Sequence, residues 1–87
     1  MGVKRMETYI KKMAEIVEKH YKDNHKTDCF NKARLQSCAT VNGDIYATFN
    51  VGSTYTEMYL YKVIYYTDFY NFRVFCYKLN DMFDVDD

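Results

Sequence analysis

His20, His25, Cys29 and Cys38 fall within 19 residues at the spacing His-x4-His-x3-Cys-x8-Cys. Imidazole and thiolate are the side chains zinc prefers, and four of them suffice for a closed tetrahedral site. The spacing matches no common zinc finger. His20 also falls on the apolar stripe of an expected helix, where it reads as a hydrogen-bonded border residue, and His25 reads as a loop residue. No metal is therefore assigned, and no cofactor. Catalytic chemistry has less material. No serine or cysteine sits in a recognisable nucleophile–histidine–acid setting, no glycine-rich loop offers a phosphate cradle, and no carboxylate pair has a glycosidase-like setting. With only three glycines the chain has little from which to build substrate loops. It reads as a non-enzymatic protein.

The remaining chemistry is that of contact. Ten tyrosines and six phenylalanines occur in 87 residues, and most crowd into the stretch from Tyr55 to Phe83. Tyrosine offers a large contact area with few rotatable bonds, which enriches it at interaction hot spots. It also has high strand propensity, so a tyrosine-rich sheet requires no partner by itself. The candidate binding residues are Tyr46, Tyr55, Tyr59, Tyr61 and Tyr65, expected on the sheet face turned away from the helix. Aromatics on an open sheet also suit base stacking. The aromatic strands carry only Lys62, Arg73 and Lys78, however, and phosphate contacts supply most nucleic-acid affinity.

Bulk properties narrow the classes further. Twelve basic and twelve acidic residues cancel, so no net field draws the chain to nucleic acid or anionic lipid. Residues 1–35 hold nine Lys/Arg against five Asp/Glu, whereas residues 36–87 hold three against seven. Three cysteines, an odd set without C-x-x-C spacing, fit free thiols in a reducing cytoplasm. The charged, amphipathic N-terminus lacks the continuous apolar run of a signal peptide, and no segment approaches the ~20 apolar residues of a membrane span. Nine Lys against three Arg, abundant Asn and Tyr, and no Pro or Trp favour A/T-rich codons. That bias suits a low-GC bacterium or its phages and plasmids.

The elements that position these residues follow from periodicity. Val3, Met6, Tyr9, Ile10, Met13, Ile16, Val17 and His20 recur at spacings of three and four and predict an amphipathic helix over 3–22. Glu7–Lys11, Glu15–Lys19 and Glu18–Lys22 support it in the favourable i, i+4 order. From Lys32 the period becomes two. Ala33, Leu35, Ser37 and Ala39, then Ile45, Ala47, Phe49 and Val51, predict two strands with odd-numbered core sets. A two-residue Asn42-Gly43 loop would put those sets on opposite faces. A three-residue loop, pairing Ala39 with Ile45 and Leu35 with Phe49, is expected instead. A two-residue Gly52-Ser53 loop is expected next, pairing Val51 with Thr54, Ala47 with Met58 and Ile45 with Leu60. Met58, Leu60 and Ile64 then face the helix. A turn near Thr67-Asp68 leads to a last strand over about 71–79, with either Phe72/Val74/Cys76 or Phe75/Tyr77/Leu79 inward. Residues 80–87 form an acidic tail.

The expected fold is α+β, one N-terminal amphipathic helix packed on a four-stranded antiparallel meander in a single domain. This order resembles the cystatins, inhibitors of papain-like cysteine proteases. The resemblance runs from Lys32-Ala33 through Cys38-Ala39-Thr40-Val41-Asn42-Gly43, then Ile45-Tyr46-Ala47-Thr48-Phe49-Asn50-Val51-Gly52, about a quarter of the chain. Val41 and Gly43 match the family's Gln-x-Val-x-Gly hairpin. Ala39 stands at the Gln, there is no Pro-Trp for the second loop, and almost no chain precedes the helix. The resemblance implies the topology and, as one alternative, cysteine-protease inhibition. The leading expectation is a protein-binding module, a small phage or mobile-element inhibitor of a larger host enzyme such as a defence nuclease. A homodimer and single-stranded nucleic-acid binding are the other partner classes, and no membrane is expected.

Overall fold

The computed structural model describes residues 2–25, 31–52 and 58–78, and the side chains from Met6 onward. One helix, α1 (Gly2–Asn24), precedes four strands, β1 (Arg34–Val41), β2 (Asp44–Gly52), β3 (Met58–Tyr66) and β4 (Asn71–Lys78). They form one antiparallel sheet in the order β1-β2-β3-β4. The α+β fold is the one the periodicity predicts, and the helix outruns its expected end by two residues.

The helix packs over the two central strands. Met13, Val17 and Tyr21 are fully buried and meet Ile45, Ala47, Phe49 and Val51 of β2 and Tyr61, Val63 and Tyr65 of β3. The apolar stripe therefore ends on Tyr21, four residues after Val17, while His20 lies at its border. The last turn is closed locally. Asn24 Nδ2 donates to the His20 carbonyl at 2.8 Å, and the His25 N–H donates to the Tyr21 carbonyl at 2.8 Å. Glu18 Oε2 accepts the Ala33 N–H at 2.9 Å and fastens the entry of β1 to the helix.

Both expected registers are corrected. β1 and β2 are joined by the two-residue Asn42-Gly43 turn, closed by Val41 opposite Asp44, and not by a three-residue loop. Asn42 (φ 52°) and Gly43 (φ 88°) both occupy left-handed backbone, as such a hairpin turn requires. The parity conflict is resolved elsewhere. Leu35 pairs with Phe49 as expected, but a bulge between Leu35 and Ser37 shifts the register, so Ala39 pairs with Tyr46 and not with Ile45. Past the bulge, Cys38 and Thr40 turn toward the helix side, while Ser37, Ala39 and Val41 turn away.

The β2–β3 connection is longer than the expected two residues. Gly52 pairs with Met58, so Val51 faces Tyr59, Ala47 faces Val63 and Ile45 faces Tyr65. The expected partner Thr54 lies outside the described residues. This one-residue difference in parity exchanges the faces of β3: Met58, Leu60 and Ile64 lie on the face away from the helix, where Met58 and Leu60 are half-buried and Ile64 alone is buried. In β4 the inward set is Phe72, Val74 and Cys76, paired with Tyr65, Val63 and Tyr61.

Candidate functional site

The tyrosines expected to share an outer face are divided by the β3 register. Tyr61 and Tyr65 are buried under the helix and Tyr59 is half-buried beside them. Only Tyr46 is on the outer face, and Tyr55 lies outside the described residues. The face assignment of Tyr59, Tyr61 and Tyr65 is thus corrected. Phenols tolerate this core because their hydroxyls find polar partners at its margins.

Those partners include the two histidines. His20 Nδ1 and Tyr61 Oη share a hydrogen bond at 2.8 Å. His25 Nδ1 lies 3.2 Å from the Tyr21 carbonyl and its Nε2 lies 3.1 Å from Tyr59 Oη. A carbonyl only accepts, so Nδ1 carries the proton, and the Nε2 of a neutral ring accepts from the Tyr59 hydroxyl. The His25 ring also stacks on Tyr21 with centroids 4.3 Å apart. Burial pushes the Tyr61 phenol far above its ordinary range, and the adjacent Cys76 thiol adds to the shift. The histidines close the lower end of the core, whereas Cys38 lines a cleft with Met6 and Ile10 near the other end of the helix. Cys29 lies outside the described residues.

At that other end the two described turns meet. Asp44 Oδ1 accepts from the Thr67 N–H at 3.0 Å and from its hydroxyl at 3.3 Å, tying the Asn42-Gly43 hairpin to the β3–β4 turn. The latter turn is closed by the Phe69 N–H donating to the Tyr66 carbonyl at 3.2 Å. Its tip then exposes two aromatic side chains, Phe69 at 78% and Tyr70 at 84%. Tyr70 also has φ 51°, a left-handed conformation that favours Gly or Asn and is unusual for a bulky residue. Beside them a crevice of about 290 Å³ runs between Met6 and Tyr9 of the helix, Gly43 and Thr67 of the turns, and Tyr70 itself. Tyr9 stacks on Tyr65 at 4.4 Å beneath it, giving the crevice a rigid floor.

No family model, curated protein or solved structure matches this chain. The site must therefore be read from its own chemistry.

The outer face is a second surface. Alternation places Tyr46, Ile64, Lys62, Arg73, Phe75 and Tyr77 there. Lys62 Nζ lies 5.7 Å from the Tyr46 ring centre and 6.0 Å from that of Phe75, and the Arg73 guanidinium carbon lies 5.1 Å from the Phe75 ring. These contacts satisfy the cations against aromatic faces. The sequence reading missed Phe69 and Tyr70, which lay inside an assigned turn. Two large aromatics in a turn otherwise made of Thr and Asp was the signal available.

Proposed function

We propose that this chain is a non-enzymatic protein-binding module that engages a larger protein through the end of its sheet where the two turns meet. One observation carries the reading: Phe69 and Tyr70 are held out in water on a turn braced by Asp44. Burying large aromatics is the ordinary gain of folding, so exposing two of them on a braced tip suits insertion into a partner's cleft. The occupied left-handed position at Tyr70 points the same way, since backbone strain of this kind gathers at ligand-contacting sites. An inhibitor of a larger host enzyme, of phage or mobile-element origin, is the instance we favour. A cystatin-like inhibitor is a variant of the same geometry, with the Val41-Asn42-Gly43 tip and the aromatic turn inserting together.

The test is capture from a low-GC bacterial lysate with the wild-type chain and with Phe69→Ala/Tyr70→Ala as the paired control. Specific proteins recovered by the first and lost with the second support the reading. Equal capture by both, or none by either, overturns it. Titrating papain separates the cystatin-like variant, which requires activity to fall with the wild type and to persist with Gly43→Arg.

A second reading is single-stranded nucleic-acid binding on the outer face, favoured by the grouping of Lys62 and Arg73 with Tyr46, Phe75 and Tyr77. Two cations supply few phosphate contacts, so retention on single-stranded DNA should be weak and vanish with modest salt. Retention that survives physiological salt and is lost in Lys62→Glu would promote this reading above the first.

A further inference from the structure

Edge strand β1 is exposed at all eight of its residues, and among the described residues it pairs only with β2. Its outward hydrogen-bonding groups can be located. A two-residue hairpin closes on a hydrogen-bonded pair, so Val41 and Asp44 exchange their backbone bonds. The pattern then alternates: Ala39 bonds inward to Tyr46, while Cys38 and Thr40 direct N–H and C=O away from the sheet. The segment from Ser37 to Val41 carries no charge and no proline, the usual devices that blunt an edge. The bulge between Leu35 and Ser37 confines this regular edge to those residues.

We propose that β1 pairs with β1 of a second copy of this chain, antiparallel about a two-fold axis at Ala39. Cys38 then exchanges backbone bonds with Thr40 of the second copy, and Thr40 with Cys38 of that copy. The two Ala39 residues face one another as a non-hydrogen-bonded pair, the kind in which side chains approach most closely and small ones fit best.

Charge at the rim is what selects a second copy as the occupant. Next to the edge lies an apolar cleft of about 350 Å³ floored by Met6, Ile10, Leu35 and Cys38 and flanked by Glu7 and Lys11. A two-fold interface uses one patch twice and so must complement itself. This patch does so: a strand edge unpaired among the described residues, an apolar floor, and one acid with one base. A polyanion would meet Glu7, and an acidic segment would have Lys11 alone. The inference is independent of the target proposed above, since it concerns the chain alone.

Sedimentation equilibrium of the purified full chain tests it. The short edge predicts a dimer dissociating in the micromolar range, roughly 1–100 μM, as small interfaces do. Thr40→Pro removes an outward N–H without touching the bonds to β2, and Ala39→Lys sets two like charges directly against one another at the two-fold axis. Each should weaken the dimer at least tenfold with unchanged circular dichroism. Should Thr40→Pro fail to fold, Ala39→Lys decides, since Ala39 is exposed and makes no side-chain contact the fold needs. In a Cys38→Ser background, Ala39→Cys should form an intermolecular disulfide under mild oxidation. A chain that stays monomeric to millimolar concentration, or a dimer indifferent to Ala39→Lys and uncrosslinked by Ala39→Cys, overturns the proposal.

Discussion

Asp44 and Thr67 stand 23 residues apart and are joined by two hydrogen bonds to a single carboxylate oxygen. Asp44 opens β2 immediately after the first turn, and Thr67 opens the aromatic turn immediately after β3. Their link makes two loops into one rigid end. Asp44→Ala should lower stability by about 1.5–3 kcal/mol, the range for hydrogen bonds to a charged group. Asp44→Asn, which retains an acceptor oxygen, should lose less. Denaturant midpoints measure both, and equal stability of the alanine variant would remove the brace from the account.

Leu60 and Tyr61 are neighbours on opposite faces of β3. Tyr61 is fully buried and should cost about 3–5 kcal/mol when cut to alanine, like other large core aromatics. Leu60 is half-buried on the outer face and should cost about 1 kcal/mol. Unfolding midpoints in the reverse order would contradict the β3 register.

The Tyr61 phenol also predicts an alkaline limit. Its folded-state value is raised above the ordinary 10.0 chiefly by burial, so the native state holds this proton where the unfolded chain releases it. Stability from this group is complete below about pH 10 and falls as pH rises beyond it. Tyr61→Phe keeps the ring, loses the bond to His20, and should flatten the decline. An undiminished slope in that variant would place the alkaline sensitivity elsewhere.

At the tip, stability and contact should separate. Tyr70→Gly replaces a left-handed tyrosine by the residue best suited to φ 51° and should leave stability unchanged or raised by up to about 1 kcal/mol. Gly43→Ala acts in the opposite direction. Its new methyl would meet Thr67 Oγ1 at an ordinary 3.7 Å, so the loss of about 1–2 kcal/mol expected there is conformational and not steric. Thermal unfolding of the two variants should move in opposite directions or differ by that amount.

Sequence alone determined the elements. The three-and-four spacing of Met6, Ile10, Met13 and Val17 leaves α1 one face to bury, and alternation from Ile45 to Val51 leaves β2 one face to meet it. Those signals are local, because each element's period is written in its own residues. Tertiary structure decided which face of each neighbouring strand joins them. Alternation in β3 is ambiguous, since Tyr59, Tyr61 and Tyr65 are as able to fill a core as Leu60 and Ile64. The choice therefore fell to register, where a one-residue slip inverts every side chain. In β1 the Asn42-Gly43 turn and the odd-numbered pattern made contradictory demands. The bulge before Ser37 satisfied both, and nothing local announces it. Exposure of Phe69 and Tyr70 was undecidable for the same reason. A ring in a turn is buried or presented according to what packs beside it, and only the joining of two distant turns through Asp44 and Thr67 placed those rings in water.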